Sequence, residues 1–404
     1  MDILPSRFDL TLDRFCQVLD AYSAARALRQ SGFRILFLRQ GSLFTSEALL
    51  ATVCAARLDN LMPIILTYMG SCLALLATLL LALPLKAGAA TVRIVQTNAA
   101  GDNVHLIDPA TNKVVGEITG IEVNHGAAAA PDGSQFYFSN EADHTLDVVD
   151  VKTLAVTRRI PLSGRPNNIA ISRDGRRVYV AIQSGSGAVD VIDTATSERV
   201  KRIAARGGVH NTFVTPDGKY VIAGSILGKV LTVIEGKTEE PVWSLDFDGG
   251  VRPMAFETNA DGSTRRIFMQ LSGFHGFCII DFETRREIDR ITLPEVPPDQ
   301  RHLEGLQGSP SHGIGIAPDG KTLWVNSKIN SHVYAYSLPD LKLLGGVRVG
   351  DHPDWLTFTP DSKSVYIANA GSNSVSVVDV ASRREVTRIP VGQVPKRNIT
   401  ALLP

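Results

Sequence analysis

From Thr91 to Pro404 the chain alternates short apolar runs with polar turns, and the arrangement recurs at intervals of roughly 42 residues. Each recurrence holds four runs of strand length, one ending in an acidic residue and one preceding a Pro-Asp-Gly turn or its variant. The legible turns are Pro131-Asp132-Gly133, Arg173-Asp174-Gly175, Pro216-Asp217-Gly218, Ala260-Asp261-Gly262, Pro318-Asp319-Gly320 and Pro360-Asp361-Ser362. Four short strands in each unit of a fixed period predict the blades of a β-propeller.

The count of runs predicts the number of blades. Seven runs of each kind predict an all-β, seven-bladed β-propeller of 28 strands, named A to D in each blade from the axis outward. The repeats begin with a B strand at Val92–Gln96 and end with an A strand at Ile399–Leu403, and the next A strand is expected at Gly126–Ala130. We therefore expect the C-terminal strand to complete the first blade, which leaves no open edge in the ring.

Upstream of the repeats lies an uncharged apolar stretch, Leu61–Leu85, whose 25 residues are enough to cross a bilayer. Ala87-Gly88-Ala89 has the small-x-small form of a signal-peptidase site. Residues 61–90 are therefore expected to be a signal peptide cleaved near Ala89 or an uncleaved signal anchor. Residues 1–60 are either an N-terminal extension from a mis-assigned translation start or an arginine-rich cytoplasmic head. Both interpretations place the domain at 91–404 outside the cytoplasm, in the periplasm or the extracellular space.

Charge and cysteine content narrow the possible partners. The chain has 41 basic and 41 acidic residues, so no overall field favours nucleic acid. The expected partner is a small-molecule ligand or another exported protein, with membrane contact only through residues 61–85 if they are not cleaved. Cys278 is the one cysteine of the repeat region. The sequence contains no Gly-x-Ser-x-Gly elbow, phosphate-binding loop, His-Glu-x-x-His zinc motif or Cys-x-x-Cys-His haem-attachment motif.

One repeat carries a family resemblance. The stretch Val365-Tyr366-Ile367-Ala368-Asn369-Ala370-Gly371-Ser372-Asn373 and its continuation to Asp379 resemble the YVTN-type β-propeller repeat. The resemblance covers residues 91–404 and implies an exported propeller, because members of that family are periplasmic, cell-surface or surface-layer proteins of mostly unassigned role. Similar propellers include lactonases, streptogramin lyases, the haem-carrying domain of cytochrome-type nitrite reductases and the copper-binding domain of nitrous oxide reductase.

A repeated polar position predicts a site at the mouth of the central channel. The position eight residues before the turn glycine, or its equivalent, holds His125, Asn167, His210, Met254, His312, Asp354 and Lys396, and His352 lies two residues before Asp354. One interpretation makes His125, His210, His312, His352 and Asp354 ligands of a transition metal such as copper or zinc, or of haem iron. The other is a polar channel lining that holds water or a ligand, with Asn167 and Lys396 as ligand contacts.

A long connection adds further candidates on the same face. Before the fifth Pro-Asp-Gly turn the spacing lengthens to 58 residues, through the segment Leu293–Ser311, which contains Arg301 and His302. Such a segment is either a cover for the channel mouth or a tolerated surface insertion, and in the first case Arg301 and His302 are candidate ligand contacts. Arg165, Arg252 and Lys396-Arg397 lie near the rim, where they could hold an anionic ligand or pair with Asp354.

Three functions fit these observations. The first is an exported binding module that holds a ligand, metal or partner at the channel mouth. The second is a hydrolase or lyase of the lactonase or streptogramin-lyase kind, in which a channel histidine acts as a base beside a bound cation. The third is a protein-docking scaffold with an inert channel.

Overall fold

The computed structural model describes residues 90–404 and, farther upstream, two short paired strands, β1 (Phe37–Arg39) and β2 (Ser42–Phe44). The chain divides into two compact units, Met1–Ala87 and Gly88–Pro404. The expected extension at 1–60 and apolar segment at 61–90 lie almost entirely outside the described residues. In the part of the chain that the structure describes, no helix has the length and apolar character needed to cross a membrane.

Residues 91–404 form seven four-stranded antiparallel sheets, the blades of an all-β propeller. The first strands of neighbouring blades pack against one another, so these strands surround the axis. The innermost strands are β6 (Asn124–Ala129), β10 (Pro166–Ile171), β14 (Val209–Val214), β18 (Val251–Thr258), β22 (Ser311–Ile316), β26 (Pro353–Phe358) and β30 (Pro395–Leu403). The second strands are β3 (Thr91–Asn98), β7 (Gln135–Asn140), β11 (Arg177–Ile182), β15 (Tyr220–Ser225), β19 (Thr264–Leu271), β23 (Thr322–Ser327) and β27 (Ser364–Asn369).

The two outer strands complete each blade. The third strands are β4 (Asn103–Asp108), β8 (Thr145–Asp150), β12 (Ala188–Asp193), β16 (Val230–Glu235), β20 (Gly276–Asp281), β24 (His332–Ser337) and β28 (Ser374–Asp379). The outermost strands are β5 (Lys113–Thr119), β9 (Val156–Pro161), β13 (Glu198–Ala204), β17 (Glu240–Asp246), β21 (Arg286–Thr292), β25 (Leu343–Arg348) and β29 (Arg384–Pro390). Blade 1 consists of β30, β3, β4 and β5, and blades 2 to 7 follow in chain order.

The expected closure of the ring is confirmed. The C-terminal strand β30 pairs antiparallel with β3, with Leu403 opposite Thr91 and Ile399 opposite Val95. The innermost strands begin earlier than the apolar runs indicated, at Asn124 rather than Gly126 in blade 2. The second residue of each of these strands is polar or charged, and a shift of register beside it separates it from the regular ladder.

The second and third strands of a blade are buried on both faces, because neighbouring blades cover both sides of the sheet. In β11 the residues from Val178 to Ile182 are all buried, whereas most of the outermost strand β13 is exposed. One apolar cluster contains Tyr137 of blade 2 and Val178 of blade 3. Fully burying one such valine contributes about 1.5–3 kcal/mol, so the contacts between blades hold the ring together.

The acidic residues of the repeat stabilise its turns. Asp150, at the end of β8, accepts hydrogen bonds from the backbone N–H of Lys152 at 3.1 Å and of Thr153 at 2.8 Å. Asp132 accepts one from the N–H of Ser134 at 3.0 Å, and Gly133 between them has a φ of 70°, which glycine adopts without strain. The acidic residues and turn glycines that make the repeat recognisable therefore stabilise the fold and are not ligand contacts.

Candidate site at the channel mouth

The second residue of every innermost strand lies at the same end of the channel. In each blade the pairing with the second strand shifts register beside this residue. Such a bulge re-aims a side chain out of the regular alternation of the ladder. We call these seven residues the channel ring: His125, Asn167, His210, Arg252, His312, Asp354 and Lys396. All seven are polar or charged.

In blade 5 the sequence prediction chose the wrong residue. Val251 pairs with Leu271 as Asn124 pairs with Asn140 in blade 2, so the channel-ring residue of blade 5 is Arg252 and not Met254. The hairpin that follows is longer, with Gly262 eleven residues after Val251, whereas Gly133 lies nine residues after Asn124. The position eight residues before the turn glycine is therefore not the channel-ring position in blade 5. Met254 is 3% exposed and packs in an apolar cluster.

A second repeated position, the residue that follows the second strand of each blade, also faces the mouth. In six blades its backbone N–H donates to the carbonyl of the residue immediately before the innermost strand, which fixes it beside the channel ring. These residues are Ala99, Glu141, Gln183, Ile226, Ser272, Lys328 and Ala370. Glu141 and Lys328 are buried charged residues at this position that the sequence analysis missed, although aligning the repeats on the ends of the second strands would have found them.

Glu141 organises the blade 2 side of the mouth. Its Oε1 lies 2.8 Å from Nδ1 of His125 and accepts a hydrogen bond from the amide of Asn167 at 2.9 Å. Its Oε2 accepts from Nη2 of Arg165 at 2.6 Å. Burial alone would raise the pKa of Glu141, but the bonds from His125 and Arg165 hold it below its usual value. A carboxylate at Nδ1 makes that nitrogen the N–H donor and leaves Nε2 of His125 as the free acceptor.

Asp354 organises the opposite side. Its Oδ1 lies 3.1 Å from Nζ of Lys328 and 3.7 Å from Nζ of Lys396, and His312 donates from Nδ1 to its backbone carbonyl at 2.8 Å. Burial would raise the pKa of Asp354, but Lys396, His312 and Lys328 together hold it well below the usual value. Burial also lowers the pKa of Lys328, against the opposing effect of Asp354. This is a buried ion pair shared between blades 6, 7 and 1.

His210 lies between the two sides. Its ring centroid is 6.3 Å from that of His125, in an edge-to-face arrangement. Its pKa is held well below the usual value, first by burial and then by nearby positive charges that include those of Arg252 and Arg397. Arg252 and Arg397 belong to blades 5 and 1. Burial likewise lowers the pKa of His312 to about 3, so both imidazoles are neutral at physiological pH.

Two arginines at the mouth lack a carboxylate partner within ion-pair distance among residues 90–404. Arg397 is 4% exposed, its Nε has no hydrogen-bond partner, and its guanidinium lies 3.6 Å from the centroid of the Trp355 ring. Burial lowers its pKa to about 9, although Asp354 opposes the shift. Arg252 donates to Ser272 at 2.8 Å and to the carbonyl of Gln307 at 2.7 Å, and burial lowers its pKa too.

The segment Leu293–Ser311 connects blades 5 and 6 and lies against the mouth. Besides its carbonyl bond to Arg252, Gln307 accepts a hydrogen bond through its side chain from Nζ of Lys396 in blade 1, at 3.4 Å. The backbone N–H of His302 donates to Ile329 at 2.8 Å, and its ring packs at 5.9 Å from that of His352 in blade 7. The segment thus contacts residues of blades 5, 6, 7 and 1.

The remaining ligand candidates are placed as follows. Asn167 and Lys396 belong to the channel ring, and His302 lies in the segment beside His352. Arg301 instead pairs with Glu295 of its own segment, at 2.7 Å. His352 has a φ of 50°, and its Nε2 is buried without a hydrogen-bond partner.

The candidate metal ligands do not meet at one point, although the rings of His125 and His210 lie 6.3 Å apart. His125 is bonded to Glu141, His312 and Asp354 contact each other, and His352 faces the segment. Across residues 90–404 no three His, Cys, Asp or Glu side chains form a group that could hold a metal ion. The assignment of His125, His210, His312, His352 and Asp354 to copper, zinc or haem iron stays a prediction, and no step below depends on it.

The fold and the channel ring define a class of protein: a seven-bladed propeller with a polar, partly covered channel mouth. Among solved structures the chain is similar to hydrazine synthase of Kuenenia stuttgartiensis, at 23% identity and a TM-score of 0.62, over 71% of this chain and 92% of that one. It is also similar to the dihydro-haem d1 dehydrogenase NirN, solved in complex with DHE, at 16% identity and a TM-score of 0.56. That match covers 74% of this chain and 63% of NirN. At these identities the likeness shows the fold alone.

No protein-family model matches the chain, and no curated protein matches it.

Proposed function

We propose that this chain is an exported propeller of the YVTN type that binds a small ligand at its channel mouth, beneath the segment Leu293–Ser311. The observation that carries the proposal is the channel ring of seven polar or charged residues, in which the rings of His125 and His210 lie 6.3 Å apart and Asp354 pairs with lysines of two other blades. Ligand sites are concave and use a few convergent polar groups to fix orientation. A propeller that served only as a scaffold has no need to bury such groups at its axis, because burying them is costly.

The structural neighbours are consistent with a ligand-binding role. NirN, one of them, is in complex with DHE in its solved structure. That ligand is not transferred to this chain, because the similarity is too distant to carry it. What is shared is the fold.

The binding proposal is tested by thermal shift with the purified protein and a probe set of neutral sugars, haem, divalent metal ions and organic anions. A ligand that binds only the folded state raises the melting temperature, by an amount that grows with concentration. We expect at least one probe class to do so for wild type and for His144→Ala, since His144 is exposed. We expect His210→Ala to abolish that shift. A shift of equal size in His210→Ala contradicts binding at the channel mouth.

Export is tested separately, by sequencing the N-terminus of the protein recovered from the periplasm or the medium. Cleavage near Ala89 gives a mature chain that begins at Ala90 or Thr91, immediately before or at the first residue of β3. Recovery of the protein only in the cytoplasm, with the apolar stretch intact, contradicts export.

A second candidate function is catalysis, favoured by the contact of 2.8 Å between Glu141 and His125. Glu141 orients the imidazole and leaves Nε2 able to accept a proton from a bound molecule. The test is turnover of lactones by wild type and by Glu141→Gln. Activity lost in the variant while ligand binding is kept supports the enzyme, and no activity in wild type contradicts it for this substrate class.

A further inference from the structure

The channel mouth contains more positive than negative charge. Lys328, Lys396, Arg252 and Arg397 share a single carboxylate, Asp354, which only partly opposes the lowering of the pKa of both arginines by burial. Asp354 lies within ion-pair distance of the two lysines and not of the arginines. Glu141, a second buried carboxylate at the mouth, is already bonded to Arg165 and His125. The group around Asp354 thus has an excess of up to three positive charges.

Arg397 shows this excess most clearly. A buried charge is normally paired, because removing it from water costs several kcal/mol without a partner. Arg397 has only the face of Trp355, which recovers part of that cost through a cation–π contact. Its Nε is buried and unpartnered. A buried guanidinium without an ion-pair partner in its own chain is suited to bind an external ligand.

The surrounding groups specify what that partner carries. Guanidinium presents a planar set of donors that matches the two oxygens of a carboxylate or the edge of a phosphate. His210 and His312 are neutral and do not add charge. Gln307 contacts both Arg252 and Lys396 through its oxygens, so it occupies donors that a ligand could take.

We infer that the ligand of this mouth is a small oxyanion with two or more negative charges, on carboxylate or phosphate groups, held by Arg397, Lys396 and Arg252. The inference rests on the proposed function and specifies the chemistry of its ligand. Asp354 stays paired with Lys328 and Lys396 and holds their ammonium groups in position for the anion. Carboxylate and phosphate share the chemistry that recognises them, and the probes below separate them.

The test is anion binding at constant ionic strength and pH, followed by thermal shift and by titration calorimetry. One set of probes, the carboxylate arm, contains acetate, malonate and citrate. The other, the phosphate arm, contains inorganic phosphate and pyrophosphate, and neutral glucose is the reference. We expect the multivalent members of one arm to raise the melting temperature of wild type, and acetate and glucose to have little effect. Arg397→Gln and Lys396→Gln should each weaken binding by at least about tenfold, the loss typical of a charge-assisted pair. Arg348→Gln, an exposed residue of β25, should bind like wild type.

The stability of the unliganded variant gives a second readout. Replacing an unpaired buried charge by a neutral amide removes a desolvation cost, so Arg397→Gln without ligand should melt about 2–4 °C higher than wild type. Arg397→Lys serves as the charge-retaining variant, and it should bind more weakly than wild type because it lacks the planar donors. A variant that melts lower without ligand shows that Arg397 is structural and overturns the inference.

The outcomes separate this inference from the proposed function. Suppose that glucose, haem or a metal ion binds in a way that depends on His210, and that no anion binds. This result overturns the inference of an oxyanion ligand but agrees with the proposed binding function. Anion binding that Arg397→Gln leaves unchanged places the anion elsewhere and overturns the inference. Failure of every probe to bind contradicts both.

Discussion

Asp354 couples three blades through one carboxylate, because Lys328 lies in blade 6 and Lys396 in blade 1 while Asp354 itself lies in blade 7. Its charge is needed at physiological pH, since it is the partner of a lysine that is only 2% exposed. Removing one member of a buried pair usually costs more than the pair contributes, because the other charge is left without a partner.

Asp354→Asn is therefore expected to lower the free energy of unfolding by about 3–5 kcal/mol at pH 7, measured by urea denaturation. The pKa of Asp354 is lower in the folded state than in the unfolded state, so its contribution is present above the unfolded value of 3.8 and is lost as pH falls below it. The difference between wild type and variant should shrink accordingly in acid. Asp246→Asn, at a carboxylate that is 69% exposed, is the control and should change little. Equal stability of Asp354→Asn and wild type at pH 7 contradicts the ion-pair network.

His312 gives the site a different pH dependence. Burial lowers its pKa to about 3, whereas in the unfolded chain it titrates near 6.5. Its contribution to stability is complete above pH 6.5 and falls below it, by about 1.4 kcal/mol for each pH unit, until the folded-state pKa is reached. Wild type should therefore lose about 2 kcal/mol of stability between pH 7.5 and 5 from this residue.

His312→Asn retains a donor near the position of Nδ1 and removes the titration. We expect its free energy of unfolding to decline less between pH 7.5 and 5 than that of wild type, as measured by denaturation at each pH. His144→Asn changes an exposed histidine and should keep the wild-type slope. Parallel curves for His312→Asn and wild type would refute the lowered pKa.

The sequence could locate the histidines of the site but not their partners. His125, His210 and His312 were visible because they share one position of the repeat. Glu141 and Lys328 share another position, the one after each second strand, but its members differ from blade to blade and no single residue type marks it. The sequence also could not show that Lys396, and not Arg397, pairs with Asp354. That choice depends on the direction of each side chain at a bulge, which the spacing of residues does not encode.

At the scale of the element, β30 is the strand on which the ring depends. It supplies the innermost strand of blade 1 and also carries Lys396 and Arg397, so fold and site share it. From Ile399 to Leu403 it continues the ladder with β3 residue by residue. Without this part, β3 becomes an open edge beside the axis.

A chain that ends at Asn398 is accordingly expected to lose cooperative thermal unfolding, because blade 1 has no inner strand to pack against its neighbours. Circular dichroism during heating measures this. Deletion of Pro404 alone, which lies beyond the strand, is the control and should melt like wild type. A cooperative transition in the longer truncation would show that three strands suffice for blade 1.

The strands were predictable because each blade repeats one alternation of apolar runs and turn residues. The starts of the innermost strands were not, because the second residue of each, such as His125 in blade 2, is polar or charged and lies beside a bulge. Blade 5 shows the same limit in another form, since a longer hairpin moved Arg252 away from the position that the other blades indicate. The local alternation of apolar and polar residues specifies which segments pair as strands. Where the innermost strands begin depends on contacts with residues distant in sequence.

At the scale of the whole molecule, the ring needs the two ends of one domain to meet. Thr91 and Leu403 are paired although about 300 residues separate them. In each of the other blades the corresponding strands are joined by a short turn. Blade 2, for example, has Pro131-Asp132-Gly133-Ser134 between Ala130 and Gln135.

Because of this pairing, the chain could begin at another point of the ring without changing the cyclic order of the blades. Joining Pro404 to Thr91 through Asp-Gly-Ser reproduces the turn of blade 2, and new ends can be opened between Leu303 and Glu304, where Leu303 is 66% exposed. Such a circular permutant keeps every strand but turns the most distant pairing of the native chain into a local hairpin. Because folding slows as contacts become more distant in sequence, the permutant should refold faster than the native chain in stopped-flow measurements. Unchanged refolding would mean that closure of the ring follows the rate-limiting step, and that this propeller assembles as an open arc before its ends meet.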